Sequence, residues 1–104
     1  MSKTALFIKH KALPGKRDEV RRLWEKHLQP RIAGNIAHEA YIYCYDDDDP
    51  DTICVFQLYA SRASSQDFLT GPWYSAYLEE VTPLLAGKPE IRSATPIWAK
   101  GAVV

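Results

Sequence analysis

A hairpin with apolar or aromatic residues on both of its faces is the feature that most constrains how this chain can fold. Residues 39–45 and 52–59 are rich in β-favouring residues, and the segment 46–51 between them, Asp-Asp-Asp-Asp-Pro-Asp, has the composition of a turn. Because neither face is cleanly polar, an antiparallel sheet built on this hairpin needs cover on both sides. The rest of the chain supplies helix for one layer, so we expect a second copy of the chain to cover the other face.

The register of the hairpin decides which side chains share a face. Pairing of the two strands about Asp49 gives a first face that carries Tyr41, Tyr43, Val55, Gln57 and Tyr59. The second face then carries Ile42, Cys44, Cys54, Phe56 and Leu58. A slip of one residue would exchange the faces of a strand, so the register is itself a prediction for the structure to test.

A strand and a helix are predicted before the hairpin. Residues 4–13 contain the β-favouring run Leu-Phe-Ile and end at Pro14-Gly15, a strong strand stop. From residue 16 to about residue 33, apolar side chains recur at helical spacing: Val20, Leu23, Trp24, Leu28 and Ile32. His27 lies on the same stripe, and Gly34-Asn35 supplies a helix stop.

A second helical region and a last strand follow the hairpin. Residues 61–69 predict a short helix that Gly71 ends, and Pro72 suits the first position of a new helix with a stripe of Tyr74, Tyr77, Leu78 and Val81. Pro83 should kink or end that helix. Residues 91–99 predict the last strand, in which Pro96 indicates a sheet edge or a bulge.

The predicted order of elements is βαββαβ, the split βαβ arrangement of ferredoxin-like α+β folds. We expect a single domain over residues 1–104, with an antiparallel sheet and its helices on one face. Residues 100–104 either fray or swap onto a partner, and the sequence leaves both open.

Composition and charge exclude several classes of function. Thirteen basic and thirteen acidic residues cancel, and no basic cluster with exposed aromatics is present, so nucleic acid is not an expected partner. No segment is long and apolar enough for a signal peptide or a membrane span, which predicts a cytoplasmic protein with no membrane partner. Cys44 and Cys54 are too few for a disulfide framework and are expected to be reduced core thiols. The aspartate run lacks the spacing of a calcium loop and reads as a solvated turn.

Three segments, taken together, resemble the antibiotic-biosynthesis-monooxygenase family. They are Leu-Pro-Gly-Lys-Arg-Asp-Glu-Val at 13–20, Asp-Pro-Asp at 49–51 before a strand that ends Val-Phe-Gln-Leu-Tyr at 55–59, and Thr-Gly-Pro-Trp-Tyr-Ser-Ala-Tyr at 70–77 after a helix start at 61–66. The resemblance covers nearly the whole chain. It implies a homodimeric α+β barrel with one apolar pocket per protomer, and oxidation of electron-rich aromatics by dioxygen without metal or flavin.

The sequence departs from the family pattern at several positions where chemistry is expected. The Glu and Trp that commonly end the third strand align with Gln57 and Tyr59, and histidines around the second helical segment align with Phe68 and Trp73. The residues of the haem-degrading branch fall on Ile8, Tyr59 and Tyr77, so haem degradation is not expected.

The same alignment, with the predicted hairpin register, gives the candidate site. His10 is the candidate general base, and Tyr59 and Tyr77 are the candidate donors to an oxyanion. The residues expected to bind substrate are Gln57, Phe68, Trp73, Tyr41 and Tyr43. No cofactor and no metal site are expected.

Each of these residues also has a purely structural interpretation. His10 is followed by Lys11 and could be a surface or satisfied histidine, His27 a residue at the edge of the core, and His38 a residue at the start of a strand. Trp24 and Trp98 are expected to pack in the core, and Trp73 and Tyr77 either pack or line a pocket.

Two functions therefore remain open at this point. The first is a cofactor-independent monooxygenase that acts on a small quinol-like or polyketide-like aromatic. The second is a non-catalytic or differently reactive dimeric α+β barrel that binds a small apolar ligand.

Overall fold

The computed structural model describes residues 2–101, which form a four-stranded antiparallel sheet with helices against one face. The strands are β1 (Thr4–Lys11), β2 (His38–Tyr45), β3 (Thr52–Tyr59) and β4 (Glu90–Ala94). Their order across the sheet is β2-β3-β1-β4, so each helical crossover skips one strand. This arrangement confirms the predicted ferredoxin-like α+β fold. The end of the predicted tail, residues 102–104, lies outside the described residues.

The helices are α1 (Arg17–His27), α2 (Gln29–Ala33), α3 (Arg62–Leu69) and α4 (Pro72–Val81), and a 3₁₀ turn follows at Thr82–Leu84. The prediction of one continuous helix over residues 16–33 is wrong, because the helix breaks at Leu28. Pro30 cannot donate a backbone hydrogen bond and its ring would clash with an earlier carbonyl, so the chain restarts as α2 with Pro30 in its first turn.

The second helical region follows the sequence prediction closely. Ser61 caps α3, because its Oγ accepts a hydrogen bond from the Ser64 amide at 3.1 Å and the Ser64 hydroxyl accepts one from the Ser61 amide at 3.1 Å. Pro72 occupies the first turn of α4, and Pro83 lies in the 3₁₀ turn that ends this helical segment.

The first and last strands of the chain end earlier than predicted. β1 ends at Lys11, and Ala12 makes only an isolated bridge to Leu85. β4 ends at Ala94 rather than at residue 99, because Pro96 has no amide to give to the ladder. Its position at the edge of the sheet confirms the inference drawn from Pro96.

The hairpin has the predicted register over most of its length. Tyr41 pairs with Gln57 and Tyr43 with Val55, so both predicted faces are confirmed. The connecting turn is stabilised by Asp46, whose Oδ1 accepts hydrogen bonds from the amides of Asp48 at 2.8 Å and Asp49 at 2.9 Å. Near the start of β2 the register shifts between His38 and Ala40.

The core lies between the helices and one face of the sheet. Its fully buried members include Val20 on α1, Ile53 and Tyr59 on β3, and Val81 on α4. Trp24 packs in this core as predicted and is 8% exposed.

The other face of the sheet, which we call the open face, carries Phe7, Ile42 and Phe56 in one cross-strand row. Cys44 and Cys54 lie opposite each other on neighbouring strands of this face, and both are free thiols. Cys44 is exposed and Cys54 is partly exposed. The prediction of core thiols is therefore wrong, because the helices cover only the opposite face. Trp98 is also not a core residue, since it is 78% exposed in the segment after β4.

Candidate functional site

A closed cavity lies between the helices and the covered face of the sheet. Six of the eight predicted site residues line it, namely His10, Tyr41, Tyr43, Gln57, Phe68 and Tyr77. Trp24, Tyr74 and several aliphatic side chains complete the wall. The cavity measures about 10 Å³, which is close to the room that one water molecule requires.

His10 is the histidine in the wall of this cavity. Its position on β1 points the ring toward the helices, where the residue is 5% exposed. Its Nδ1 is buried and has no hydrogen-bond partner among the described residues. Burial lowers the pKa of His10 to about 4, so the imidazole is neutral at physiological pH and can accept a hydrogen bond.

The two tyrosines of β2 in the cavity wall differ in the hydrogen bonding of their hydroxyl groups. The Tyr41 hydroxyl accepts a hydrogen bond from Trp24 Nε1 at 3.0 Å. The Tyr43 hydroxyl is buried without a partner among the described residues, and its ring centroid lies 4.2 Å from that of Trp24. Burial raises the pKa of both hydroxyl groups far above the ordinary tyrosine value, so both remain protonated donors.

Gln57 is held by a chain of hydrogen bonds that reaches the surface. Asn35 Nδ2 donates to His38 Nδ1 at 2.9 Å, which assigns the ring proton to Nε2, and His38 Nε2 donates to Gln57 Oε1 at 3.3 Å. The Tyr59 hydroxyl donates to the same Oε1 at 2.5 Å. Both donors converge on the carbonyl, which leaves the amide nitrogen of Gln57 as the donor for a ligand in the cavity.

Sequence reasoning undervalued His38. The register shift after His38 brings it opposite Tyr59, so its ring packs on Tyr59 at 4.3 Å and on Phe68 at 4.6 Å between centroids. Burial lowers the pKa of His38, and its hydrogen bond to Gln57 opposes this effect. A β-bulge commonly re-aims a side chain beside a site, but no glycine or proline in the sequence marks this one.

Tyr59 and Trp73 are the two predicted site residues that do not line the cavity. Tyr59 is fully buried behind Gln57 and acts on the cavity through that side chain. Trp73 lies outside the cavity, where its Nε1 donates to the Phe68 carbonyl at 2.9 Å. A Cβ on Gly71 would approach the Trp73 indole to 2.1 Å, so only glycine leaves room for this ring position.

A second concavity, which we call the outer groove, lies beyond Phe68. It has a volume of about 370 Å³, and its wall includes Arg31, Asn35, Asp67, Phe68 and Trp73. Phe68 belongs to the walls of both the outer groove and the closed cavity.

Tyr77 and His27 fall on opposite sides of the helical layer. Tyr77 is 2% exposed and lines the cavity, and burial raises the pKa of its hydroxyl. His27 Nε2 is hydrogen-bonded to Glu80 outside the cavity, and this contact lowers the pKa of the Glu80 carboxyl. His27 therefore has the structural role that its place on the helical stripe allowed.

Residues 2–101 contain neither a three-residue metal-binding group nor a membrane-spanning helix. These residues contain no group of three metal-binding side chains placed to hold an ion. Within the same range, the helices are too short or too polar to cross a membrane.

Several solved structures of other proteins have a fold similar to that of this chain. No protein-family model and no curated protein matches the sequence. The structure of a "putative Antibiotic biosynthesis monooxygenase" from Chloroflexus aurantiacus J-10-fl is 24% identical, with a TM-score of 0.78, and the match covers 96% of this chain and 98% of that one. A protein of unknown function from Nitrosomonas europaea is 26% identical, with a TM-score of 0.81 and coverage of 100% and 98%.

A third match is a "putative antibiotic biosynthesis monooxygenase" from Caulobacter crescentus CB15, at 18% identity, a TM-score of 0.85 and coverage of 93% and 92%. The topology and the aromatic cavity define the chain as a ferredoxin-like α+β domain with an enclosed site between helices and sheet. Its fold is the antibiotic-biosynthesis-monooxygenase-like fold, which confirms at the level of fold the resemblance read from the sequence.

Proposed function

We propose that this protein is a cofactor-independent monooxygenase that oxidises a small electron-rich aromatic, such as a hydroquinone, with dioxygen. The observation that carries the proposal is His10: a neutral, buried imidazole whose Nδ1 has no partner among the described residues and which shares its cavity with hydroxyl and amide donors. An unsatisfied polar atom in a buried cavity costs stability, and such a cost is commonly retained where a ligand uses the atom.

The first step of the proposed reaction is ionisation of the substrate. Ground-state dioxygen accepts electrons one at a time, so the aromatic must first become an anion. His10 takes the proton of a phenolic hydroxyl, and the resulting imidazolium and phenolate stabilise each other at short range. The low pKa applies to His10 without a substrate beside it. The negative charge of a neighbouring phenolate favours the protonated ring and so raises this pKa.

The oxidation then balances without a cofactor. The phenolate gives one electron to dioxygen, and the superoxide and substrate radical join in a new C–O bond at a ring carbon. Protonation by His10 gives a hydroperoxide. That carbon then loses its hydrogen as the O–O bond breaks, so one oxygen atom stays in the product as a carbonyl and the other leaves as water. Hydroquinone would give hydroxybenzoquinone and one water.

The donors around the cavity suit the charge that develops on the substrate oxygen. Gln57, Tyr43 and Tyr77 line the same cavity as His10, and each carries a hydrogen-bond donor. Fixed donors of this kind stabilise an oxyanion more effectively than water does. Tyr59 is assigned a positioning role, because its hydroxyl is bonded to the Gln57 carbonyl.

Substrate entry requires the cavity to open. A volume of about 10 Å³ does not admit an aromatic ring, whereas the outer groove of about 370 Å³ does. We propose that the ring of Phe68 swings aside on binding, so that a substrate seated in the outer groove presents its hydroxyl to His10.

We also propose that the protein is a homodimer assembled through the open face. Phe7 is 48% exposed and Ile42 is 54% exposed on that face, and a shallow depression of about 690 Å³ lies over it. Burying one such side chain contributes roughly 1.5–3 kcal/mol, so a contiguous apolar sheet face favours association. The exposed Ile97 and Trp98 provide further apolar surface beyond the end of β4.

A second candidate function is a barrel that binds a small apolar ligand without catalysis. The composition of the cavity wall favours it, because most of the lining residues are apolar or aromatic. In that case His10 would be a buried polar residue that positions a ligand.

Oxygen uptake by the metal- and flavin-free protein with hydroquinone tests the proposal. Removal of a positioned base costs about 10²–10⁴ in rate, so His10→Ala should lower turnover by that factor. His27→Ala is the matched control, because His27 lies outside the cavity and should leave turnover unchanged.

Circular dichroism of each variant controls for loss of fold. Equal rates for wild type and His10→Ala would contradict the assignment of the base. Absence of oxygen uptake across a panel of hydroquinones and anthrones would favour the ligand-binding barrel.

A further inference from the structure

Basic side chains line the outer groove and the depression beside it. Arg31 lines the groove and also lines a neighbouring depression whose wall includes Lys26 and His27. Lys26 and His27 both contact the carboxylate of Glu80. Arg31, in contrast, forms no ion pair with any residue in the described part of the chain.

Arg31 is nevertheless held in place. Its Cζ lies 5.3 Å from the centroid of the Trp73 ring, within the range of a cation–π contact. The Trp73 ring is itself fixed by its bond to the Phe68 carbonyl and by its close approach to Gly71. A guanidinium that stacks on a fixed indole keeps its donor edge available, and that edge matches the geometry of a carboxylate.

Phe68 and Trp73 pack against each other and give the groove an aromatic surface on which a ligand ring can stack. Phe68 and Trp73 lie 5.8 Å apart between ring centroids and tilt by 45° relative to each other. Asp67 is the acidic residue of this wall, and it has no ion pair with Arg31. The guanidinium of Arg31 is therefore not neutralised by an ion pair with Asp67.

We infer that the outer groove is a specificity site for an aromatic carboxylate, in which Arg31 binds the carboxylate and Phe68 and Trp73 bind the ring. This inference rests on the proposed function, since it names the substrate class of that site: a hydroquinone that bears an acidic substituent. The carboxylate stays at Arg31 while the ring hydroxyl passes Phe68 toward the cavity.

Calorimetric titration without oxygen tests the inference, because binding is then measured apart from any oxidation. The two probes are 2,5-dihydroxybenzoate and its neutral amide, 2,5-dihydroxybenzamide, which differ in charge but little in shape. An exposed ion pair contributes up to about 1 kcal/mol, so the wild type should bind the acid about threefold to fivefold more tightly than the amide. High salt should reduce this preference.

Three variants separate the role of charge from the role of shape. Arg31→Gln should remove the preference for the acid and leave affinity for the amide unchanged. Asp67→Asn should increase the preference for the acid, because it removes a negative charge that repels the carboxylate of the ligand. Arg22→Gln is the control, an exposed arginine of α1 that lines neither the groove nor the cavity, and it should behave as wild type.

Equal affinity of the wild type for acid and amide overturns the inference and leaves the proposed oxidation standing. The same holds if Arg31→Gln keeps the preference, or if it weakens both probes equally. Failure of both probes to bind overturns the inference as well, and oxygen uptake with unsubstituted hydroquinone then decides the proposed function separately.

Discussion

Acidification from pH 7 to pH 5 should destabilise the protein in a way that depends on His10. The pKa of His10 falls to about 4 in the folded protein, whereas a histidine in the unfolded chain titrates near 6.5. Between these values the unfolded state binds more protons than the folded state, so stability rises with pH and is lost as pH falls. Integration over this interval gives a loss of about 2 kcal/mol from His10 alone.

Urea denaturation at pH 7 and pH 5, followed by tryptophan fluorescence at one fixed protein concentration, measures this loss. The concentration is fixed because a dimer adds its own contribution to stability. His38 titrates with the same sign, since burial lowers its pKa as well. The carboxylates with lowered pKa, Asp46, Asp49 and Glu80, titrate below this window.

The variant His10→Asn isolates the contribution of His10, because asparagine keeps a polar group near the position of Nδ1 but does not titrate. Its loss of stability from pH 7 to pH 5 should be smaller than that of the wild type by about 2 kcal/mol, whatever its stability at pH 7. Equal losses of stability in wild type and variant, or a His10 ring that titrates near pH 6.5 by NMR, would contradict a lowered pKa of His10.

Further outcomes follow from the site and from the open face. Tyr77→Phe should lower turnover by about threefold to tenfold, the effect of one hydrogen bond, and a loss as large as that of His10→Ala would contradict its role as a donor. His38→Ala should lower the maximal rate with a smaller effect on substrate affinity, because Gln57 loses a hydrogen bond that holds it. His38→Gln keeps a donor, so recovery of the rate in that variant would distinguish lost positioning of Gln57 from simple unfolding. Sedimentation at micromolar concentration should show one dimeric species, and Ile42→Glu should shift it to the monomer; a monomeric wild type would remove the proposed interface.

The fold was accessible from the sequence because its signals are local. Alternation of period two placed Gln57 on the same face as Tyr41, and Asp49 at the centre of the turn set the register. Pro72 marked the start of a helix because its ring suits the first turn. The break at Leu28 was also within reach, since Pro30 lies inside the helical pattern that was extended across it.

Other features could not be read from the sequence because they depend on tertiary contacts. The bulge that directs His38 toward Gln57 is set by pairing across the sheet, and the buried side of each strand is set by which face the helices cover. The face that carries Cys44 and Cys54 has the same pattern of apolar residues as the face that the helices cover. The pattern therefore predicted that both cysteines are buried, although no helix of the same chain covers them. The size of the cavity follows from the packing of rings such as Phe68 and Trp24, which no spacing rule gives.

The most direct test of the proposed function is oxidation of hydroquinone under ¹⁸O₂ by the purified protein, with mass spectrometry of the product. Chelator is present throughout, and flavin and haem are shown to be absent by absorbance. The expected product is hydroxybenzoquinone that contains one atom of ¹⁸O. The second ¹⁸O atom is expected in water, and His10→Ala should lose the labelled product. Unlabelled benzoquinone formed with hydrogen peroxide, or no consumption of oxygen above the rate without protein, would contradict the proposed function.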